Sequence, residues 1–331
     1  MANEEKTVKK VKKIGVLTSG GDAPGMNSAI RAVVRTAMYY GIQVMGIRKG
    51  YNGLINGEAQ EMDGNSVSNI LSLGGTVLHT ARCMEMMEDK GRDRAAAICD
   101  ILGLDGLVVI GGDGSYRGMR ELSKRGVNCI GIPATIDLDM HSTEYTIGFD
   151  TAVNTGMDAI NKLRDTSSSH ERCSVVEVMG RDAGYLAAWC GMVGGAEDVL
   201  LPETSKKDDN KEAIRQVLMN RSRGKNHHLI LVAEGVGGTQ ELAESIEEMT
   251  GIQTRATILG HIQRGGSPTA LDRMHASMMG HLAVKALIDG EQNRVVAYNK
   301  GRYETIDLEE SFEIKKEFDK ETCDILRILA I

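Results

Sequence analysis

Short apolar runs alternate with longer amphipathic stretches along almost the whole chain. The runs rich in Val, Ile and Leu predict buried strands, at residues 14–19, 44–49, 106–112, 129–135, 173–180, 227–235 and 256–260. Stretches with helical spacing between them include residues 27–40, 116–125, 151–164 and 211–220. Strands that alternate with helices form mainly parallel sheets, and ligand-binding loops gather at the carboxyl ends of such strands. The pattern therefore predicts an α/β protein.

Length and composition bound the number of domains and the compartment. With 331 residues, 41% of them hydrophobic, the chain is long enough for two domains. Because no Pro- or Ser-rich linker separates two halves, we expect interwoven lobes. Six scattered cysteines without a C-x-x-C pair, a charged amino terminus and no apolar run of about 20 residues favour a cytoplasmic protein away from membranes.

Charge excludes one class of partner. The net charge is −7, and Trp, Tyr and Phe make up only 4% of the residues. Nucleic-acid binding usually requires a basic face or a set of stacking aromatic side chains, so we expect no nucleic-acid partner. A small phosphorylated ligand stays possible, because a few local arginines are enough to bind it.

The first loop with candidate chemistry spans residues 19–25 and leads into a helix near Asn27. Its glycines allow positive φ and a close approach of the backbone, and a helix amino terminus offers free N–H groups to an anion. The loop matches neither the Walker pattern nor the dinucleotide-binding pattern. It is either a phosphate-binding loop or an ordinary tight turn.

The second loop, Gly111 to Ser115, places an acid among glycines after an apolar strand. Its backbone could hold a phosphate while Asp113 binds Mg²⁺, a cation that prefers carboxylate and phosphate oxygens. We expect Ser115 to cap the following helix. Similar loops occur in NAD kinases and in diacylglycerol-type lipid kinases, so the loop indicates phosphoryl chemistry without naming the acceptor.

The third loop, residues 133–139, carries one hydroxyl and two carboxylates at alternate positions. If it is extended, Thr135, Asp137 and Asp139 lie on one side. Phosphoryl transfer needs a base for the acceptor hydroxyl, and Asp137 suits that role, with Asp139 as an orienting group. The alternative is a pair of solvated turn aspartates.

Cationic side chains stand near several predicted strand ends. A guanidinium presents paired donors to phosphate and stays charged. Arg255 precedes the strand at 256–260. Each arginine alone would most simply form a surface salt bridge, but together they predict an anion site, with the members Arg82, Arg172, Arg181, Arg255, His261 and Arg264.

The three loops resemble the bacterial-type 6-phosphofructokinase family, and the likeness runs from about residue 13 to near the carboxyl terminus. Further matching motifs in the family's order are residues 179–181, 233–235 and 260–266. The resemblance implies two interwoven three-layer α/β/α lobes with mainly parallel sheets. One lobe, residues 1–148 and 263–313, would bind ATP, and the other, residues 149–262 and 314–331, fructose 6-phosphate.

The resemblance also implies a Mg²⁺-dependent transfer of the γ-phosphoryl group of ATP to the 1-hydroxyl of fructose 6-phosphate, a step of glycolysis. Asp137 would be the base and Thr135 would stabilise the transferring group, with Arg181, Arg82 and Gly21 also in the catalytic set. ATP would contact Gly21, Arg82, Cys83, Gly112, Asp113, Gly114 and Ser115, with Asp113 on the metal. The sugar phosphate would contact Thr135, Asp137, Asp139, Arg172, Met179, Gly180, Arg181, Glu234, Arg255, His261 and Arg264.

Oligomerisation and regulation follow from the same resemblance. Arg172 and Arg255 would reach the sugar-phosphate site of a neighbouring subunit, which implies a homotetramer with shared active sites. Arg31 and Arg35, four residues apart, share one helix face, which by itself is typical of a solvated surface. The family places a regulatory site for ADP or phosphoenolpyruvate at Arg31, Arg35, Arg164, Gly195, Glu197, Arg223 and Lys225.

Three departures from the family pattern bear on this interpretation. Bacterial members usually read Gly-Thr-Ile-Asp-Asn-Asp where this chain has Ala134 and Leu138, and usually carry an aspartate at the position of Asn69. In an extended loop Leu138 would point away from its flanking aspartates and pack inward. Two alternatives follow: a pyrophosphate-dependent enzyme, which usually has Asp at the position of Gly114 and Lys at that of Ala134, and a catalytically weakened sensor of sugar phosphates or nucleotides.

Overall fold

The computed structural model describes residues 10–204 and 209–330 and divides the chain into two compact units. The first unit comprises residues up to Thr135, Met140–Gly148 and Ser267–Lys316. The second unit comprises Ile136–Asp139, Phe149–Gly266 and the residues from Glu317 onward. Each unit is therefore assembled from separated segments, and the short stretch after Thr135 belongs to the second unit.

The strands and helices are numbered in chain order. The strands of the described residues are β1 (Lys13–Ser19), β2 (Gln43–Ile47), β3 (Ala59–Met62), β4 (Gly106–Gly111), β5 (Cys129–Pro133), β6 (Cys173–Val178), β7 (Asp198–Leu200), β8 (His228–Ala233), β9 (Thr254–Ile258), β10 (Arg294–Asn299) and β11 (Arg302–Asp307). The α-helices are α1 (Met26–Tyr39), α2 (Gly50–Asn56), α3 (Asp89–Ile101), α4 (Asp113–Ser123), α5 (Phe149–His170), α6 (Tyr185–Gly194), α7 (Asp209–Ser222), α8 (Thr239–Thr250), α9 (Ala270–Ile288), α10 (Leu308–Glu313) and α11 (Lys320–Leu329). Short 3-10 helices span Met84–Met87 and Gly260–Arg264.

The first unit contains a seven-stranded sheet in the order β11-β10-β5-β4-β1-β2-β3. Its central strands β10, β5, β4, β1 and β2 pair in parallel, and the outer strands β3 and β11 pair antiparallel to their neighbours. Every residue of β4 and β5 is buried, as expected for parallel strands covered on both faces. The predicted α/β class with mainly parallel sheets is confirmed.

The second unit contains a four-stranded sheet in the order β7-β8-β6-β9, and every pair in it is parallel. Apolar side chains of β6 and β8 pack with α8 in one core cluster that includes Val175, Ile230, Val232, Leu242 and Ile246. None of the helices in the described part of the chain is long and apolar enough to cross a membrane.

Candidate active site

The carboxyl ends of β1, β4 and β5 place the first two predicted loops and the start of the third side by side in the first unit. Ser19 pairs with Gly111, which in turn pairs with Pro133. A Cβ on Gly111 would lie 2.5 Å from the Ser19 carbonyl oxygen, so only glycine allows this approach. A Cβ on Gly112 would lie 3.5 Å from that of Thr135. One edge of the sheet therefore carries both glycine loops and the hydroxyl of Thr135.

Helix α4 begins directly at the acid of the second loop. Gly112 precedes the helix, Asp113 lies in its first turn, and the Asp113 carboxylate accepts a hydrogen bond from the Arg117 Nε at 2.9 Å. The prediction that Ser115 caps this helix is wrong, because the helix starts two residues earlier. The Ser115 hydroxyl is instead buried and has no hydrogen-bond partner among the described residues.

The loop that carries Arg82 lies against the β1–α1 loop. The Thr80 hydroxyl donates to the Gly20 carbonyl at 2.7 Å, and the Thr18 hydroxyl donates to the His79 carbonyl at 3.0 Å. Arg82 itself is exposed. The structure therefore brings the backbone before Arg82 and Cys83 next to the loop that holds Gly21.

The stretch from Thr135 to Asp139 is not extended, so the expectation that its three polar side chains share one side is wrong. Leu138 has a left-handed backbone with φ of 55°, and the chain bends at Asp137. Leu138 is only 5% exposed, which confirms that it packs inward. The Thr146 hydroxyl donates to the Thr135 carbonyl at 2.7 Å and fixes the start of the bend.

At the carboxyl ends of β6 and β8 the second unit places another set of predicted residues. Val178 and Ala233 are paired at the ends of these strands, and Met179, Gly180 and Glu234 follow directly. The Arg181 backbone N–H donates to a Glu234 carboxylate oxygen at 3.0 Å. Arg181 has a φ of 57°, a strained value for a long side chain. This hydrogen bond helps to hold Arg181 in its strained turn.

The 3-10 helix Gly260–Arg264 carries His261 and Arg264 and is tied to the end of β6. Gln263 is fully buried, its side-chain oxygen accepts the Met179 backbone N–H at 2.8 Å, and its side-chain nitrogen donates to the Ala152 carbonyl at 3.4 Å. Sequence reasoning missed Gln263. Its signal in the sequence is a polar residue between His261 and Arg264.

Arg172 and Arg255 lie at the opposite end of this sheet. Arg172 precedes β6, and Arg255 lies within β9 rather than before it. Arg172 donates to the Gln253 side chain at 2.6 Å, and Arg255 pairs with Glu247 at 3.6 Å. The six residues of β6 rise by roughly 3.3 Å each, or about 20 Å in all. Within one chain these two arginines therefore lie at the end of the sheet opposite to Arg181, and the anion site predicted from the six cationic residues stays a prediction.

The predicted regulatory residues of the second unit are neighbours. The Arg164 guanidinium donates to the Gly195 carbonyl at 2.8 Å, and the Lys225 ammonium lies 2.5 Å from the Glu197 carboxylate. Glu197 is buried and also accepts a hydrogen bond from the Leu229 backbone. Arg223 is exposed.

The remaining regulatory candidates belong to the first unit. Arg31 is half-buried and Arg35 is exposed on α1. Asn69 has a left-handed backbone with φ of 58°, which an asparagine adopts more easily than most residues.

A buried histidine beside Glu197 was also missed. His228 is 1% exposed, and neither ring nitrogen has a hydrogen-bond partner among the described residues. Burial lowers the pKa of His228, against the attraction of the Glu197 charge. The His227–His228 pair at the start of a strand was the available signal.

Comparison with known proteins identifies the family. The family model described as Phosphofructokinase matches residues 13–287. Proteins named ATP-dependent 6-phosphofructokinase from Clostridium botulinum and Clostridium acetobutylicum are 57% and 55% identical over 320 residues, which cover 97% of this chain and 100% of each relative.

Solved structures agree with this family. The solved structure of phosphofructokinase from Saccharomyces cerevisiae superposes with a TM-score of 0.86 at 34% identity over 97% of this chain, which spans only 48% of the yeast chain. A pyrophosphate-dependent phosphofructokinase from Marinobacter aquaeolei shares the fold, with a TM-score of 0.84 at 20% identity over 97% of this chain and 92% of its own. The chain belongs to the phosphofructokinase family.

Proposed function

We propose that this chain is an ATP-dependent 6-phosphofructokinase that converts fructose 6-phosphate and ATP to fructose 1,6-bisphosphate and ADP. One structural observation carries the proposal: the β1, β4 and β5 loops converge at a single sheet edge through the Ser19, Gly111 and Pro133 pairings. Relatives named for this activity, similar over 97% of the chain, support it. Both substrates are small anions, and we place the reaction in the cytoplasm, with no membrane or nucleic-acid partner.

The residues that we propose to bind the nucleotide lie in the first unit. The ATP-binding set is Gly21, Arg82, Cys83, Gly112, Asp113, Gly114 and Ser115. Backbone N–H groups at the start of α4 suit phosphate oxygens. The Asp113 carboxylate is 40% exposed, and among the described residues its side chain bonds only to an exposed arginine, so it is accessible to Mg²⁺. No group of three or more His, Cys, Asp or Glu side chains in the described ranges forms a metal cage, and Mg²⁺ shared between one carboxylate and nucleotide phosphates needs none.

The residues of the second unit include those that we propose to bind the sugar phosphate. Its proposed contacts are Asp139, Met179, Gly180, Arg181, Glu234, His261 and Arg264. Asp137 accepts the proton of the 1-hydroxyl while that oxygen bonds to the γ-phosphorus and the bond to the β–γ bridging oxygen breaks, releasing ADP. Thr135 stabilises the transferring group. Asp137 is only 7% exposed, and a site that excludes water limits hydrolysis of ATP.

ATP is favoured over pyrophosphate by two positions. A Cβ added at Gly114 would meet no heavy atom within 4 Å, so the space that an aspartate would fill is open to a nucleotide. Ala134 is buried and supplies no cation for a second phosphate.

The distance between the two ends of the second sheet supports a proposal of shared sites. Arg172 and Arg255 lie at the amino ends of β6 and β9, whereas the sugar-phosphate residues follow the carboxyl ends. We propose that both arginines serve the site of a neighbouring copy in a homotetramer. The regulatory residues, among them Arg35 and Arg164, would bind ADP or phosphoenolpyruvate.

The test is a coupled assay with fructose 6-phosphate and either ATP or pyrophosphate. Asp137→Asn retains shape but accepts no proton, so the rate should fall about 10²- to 10⁴-fold. Asp158→Asn is the matched control, because Asp158 is exposed on α5 and, in the part of the chain that the structure describes, pairs only with Lys162. Turnover with pyrophosphate alone would contradict the proposed donor, and normal turnover of Asp137→Asn would remove Asp137 from the mechanism.

A further inference from the structure

The loop that carries Arg82 is held firmly on its amino-terminal side. Asn27 of α1 is 1% exposed, and its side-chain oxygen accepts the Val77 N–H at 2.7 Å. Its side-chain nitrogen donates to the Leu73 and Gly74 carbonyls at 3.1 and 3.2 Å. One buried amide therefore fixes the backbone several residues before Arg82.

Arg92 of α3 holds the backbone on the other side. Its Nε donates to the Met86 carbonyl at 2.8 Å, and one terminal nitrogen donates to the Met87 carbonyl at 3.0 Å. These carbonyls close the 3-10 helix that follows Cys83. A Cβ on Gly91 would lie 2.1 Å from the Glu85 carbonyl oxygen, so α3 touches the backbone of this 3-10 helix directly.

Arg92 is itself oriented by neighbouring charges. Its other terminal nitrogen lies 3.2 Å from an Asp89 oxygen and 3.3 Å from a Glu121 oxygen. Arg125 contacts the same two acids, at 2.8 Å and 3.5 Å, and holds the pKa of Asp89 below its usual value. The Arg92 side chain is 21% exposed. A planar guanidinium that is hydrogen-bonded on both edges has little freedom to rotate.

This network joins the two nucleotide elements of the first unit. Glu121 belongs to α4, the helix that begins at Asp113, and Met86 follows Arg82 by four residues. The Arg82 guanidinium makes no hydrogen bond or ion pair with any residue of the ranges described, so the backbone alone sets its position.

We propose that Arg92 is a positioning residue for the nucleotide, acting through the Met86 and Met87 carbonyls to hold Arg82 and Cys83 beside the glycine loops. The proposal rests on the proposed kinase function. Lysine would keep the positive charge near Asp89 and Glu121 but could not donate as a fork to two successive carbonyls. The Arg92→Lys variant therefore tests the paired hydrogen bonds of the guanidinium separately from its positive charge.

The experiment measures KM for both substrates in the parent, Arg92→Lys and Arg92→Ala. Arg94→Ala is the matched control, since Arg94 is exposed on the same helix and has no polar contact with the described residues. We expect KM for ATP to rise roughly 10-fold in both Arg92 variants, because small displacements of positioning groups have large effects. KM for fructose 6-phosphate should change less than twofold.

A second measurement is independent of activity: the rate of trypsin cleavage after Arg82, followed by mass spectrometry. Release of the loop should accelerate this cleavage in both Arg92 variants and leave it unchanged in Arg94→Ala. Parent-like values of both quantities in Arg92→Lys, or equal rises of the two KM values, would overturn the proposal. A parent enzyme without activity on ATP and fructose 6-phosphate would refute the proposed function instead, while the cleavage rates would still decide whether Arg92 holds the loop.

Discussion

Replacement of Gln263 by leucine tests the sugar-phosphate half of the site through a residue that touches no substrate. Gln263 is fully buried, and its side-chain oxygen accepts the Met179 N–H at 2.8 Å. Leucine has a similar size but cannot accept this hydrogen bond. The change therefore removes the bond that connects the 3-10 helix of His261 to the backbone entering Arg181.

The expected loss of stability follows from the Met179 N–H, which is left without an acceptor. A buried N–H left without an acceptor costs about 1–3 kcal/mol. The second bond, to the Ala152 carbonyl, is 3.4 Å long and adds little, because a carbonyl within a helix keeps its helical partner. A loss of about 2 kcal/mol should lower Tm by roughly 4–8 °C for a domain of 150–250 residues.

Part of this loss of free energy should also weaken the binding of fructose 6-phosphate. Met179 and its neighbours would relax toward water to satisfy the free N–H, and they would lose their fixed spacing from His261. We expect KM for fructose 6-phosphate to rise roughly 10-fold, the equivalent of about 1.4 kcal/mol, with KM for ATP unchanged. The assay is a coupled rate measurement at varied concentrations of each substrate, with a thermal melt of every variant.

Gln216→Leu is the matched control, because Gln216 lies on α7 of the same unit and its amide makes no hydrogen bond to the described residues. It should leave both KM values and Tm close to those of the parent. A fall in Tm with an unchanged KM for fructose 6-phosphate would show that Gln263 supports only the fold. An equal rise in both KM values would show a general loss of structure.

Three further predictions concern subunits, regulation and pH. An Arg172→Ser enzyme mixed with an Asp137→Asn enzyme should regain activity after subunit exchange, since some sites become intact; no recovery in verified hybrids would mean that each chain builds its own site. ADP or phosphoenolpyruvate should shift the fructose 6-phosphate saturation curve by a coupling of about 1–3 kcal/mol, and less in Arg35→Ala; equal shifts would place the effector elsewhere. Because burial lowers the pKa of His228 below its usual 6.5, the unfolded state binds its proton more readily, so the stability contribution is present above about pH 6.5 and is lost as pH falls. Urea unfolding from pH 8 to pH 5 should show a smaller acid loss in His228→Gln, and an identical loss would assign the effect to another group.

Strands β4 and β8 could be predicted from the sequence because nearly their whole length is apolar, whereas β10, which also lies inside its sheet, was not predicted. β4 and β8 are buried at every residue, and both runs were predicted within a residue or two of their observed ends. β11 was not predicted, since every position in it is exposed or only partly buried and no apolar run marks it. β7 has only three residues, too few for any period. Short or edge strands depend on pairing with distant segments, which a local pattern does not contain.

The candidate site also has a part that could be predicted from the sequence and a part that could not. The position of the glycine loops at strand ends could be predicted, because glycines beside an acid directly after an apolar run are typical of a tight turn from a strand into a helix. The contacts that hold the site in place could not be predicted, since they join residues far apart in sequence. Gln263 is 84 residues from Met179, and Glu121 is 29 residues from its partner Arg92. The residues next to a buried glutamine or a surface arginine in the sequence do not indicate which distant backbone group its side chain will bond to.

Leu138 shows how packing can stabilise a residue in a backbone conformation that its own side chain disfavours. Its φ of 55° is a conformation that costs most side chains about 1–2 kcal/mol and suits asparagine better. Yet Leu138 is only 5% exposed, and burial of a leucine side chain contributes about 1.5–3 kcal/mol. An asparagine there would relieve the strain, but its amide would have to be desolvated, which costs about 1–3 kcal/mol without new hydrogen bonds. The lost burial and the desolvation together outweigh the relieved strain, so the bend beside Asp137 can keep its shape without the amide that the family usually carries.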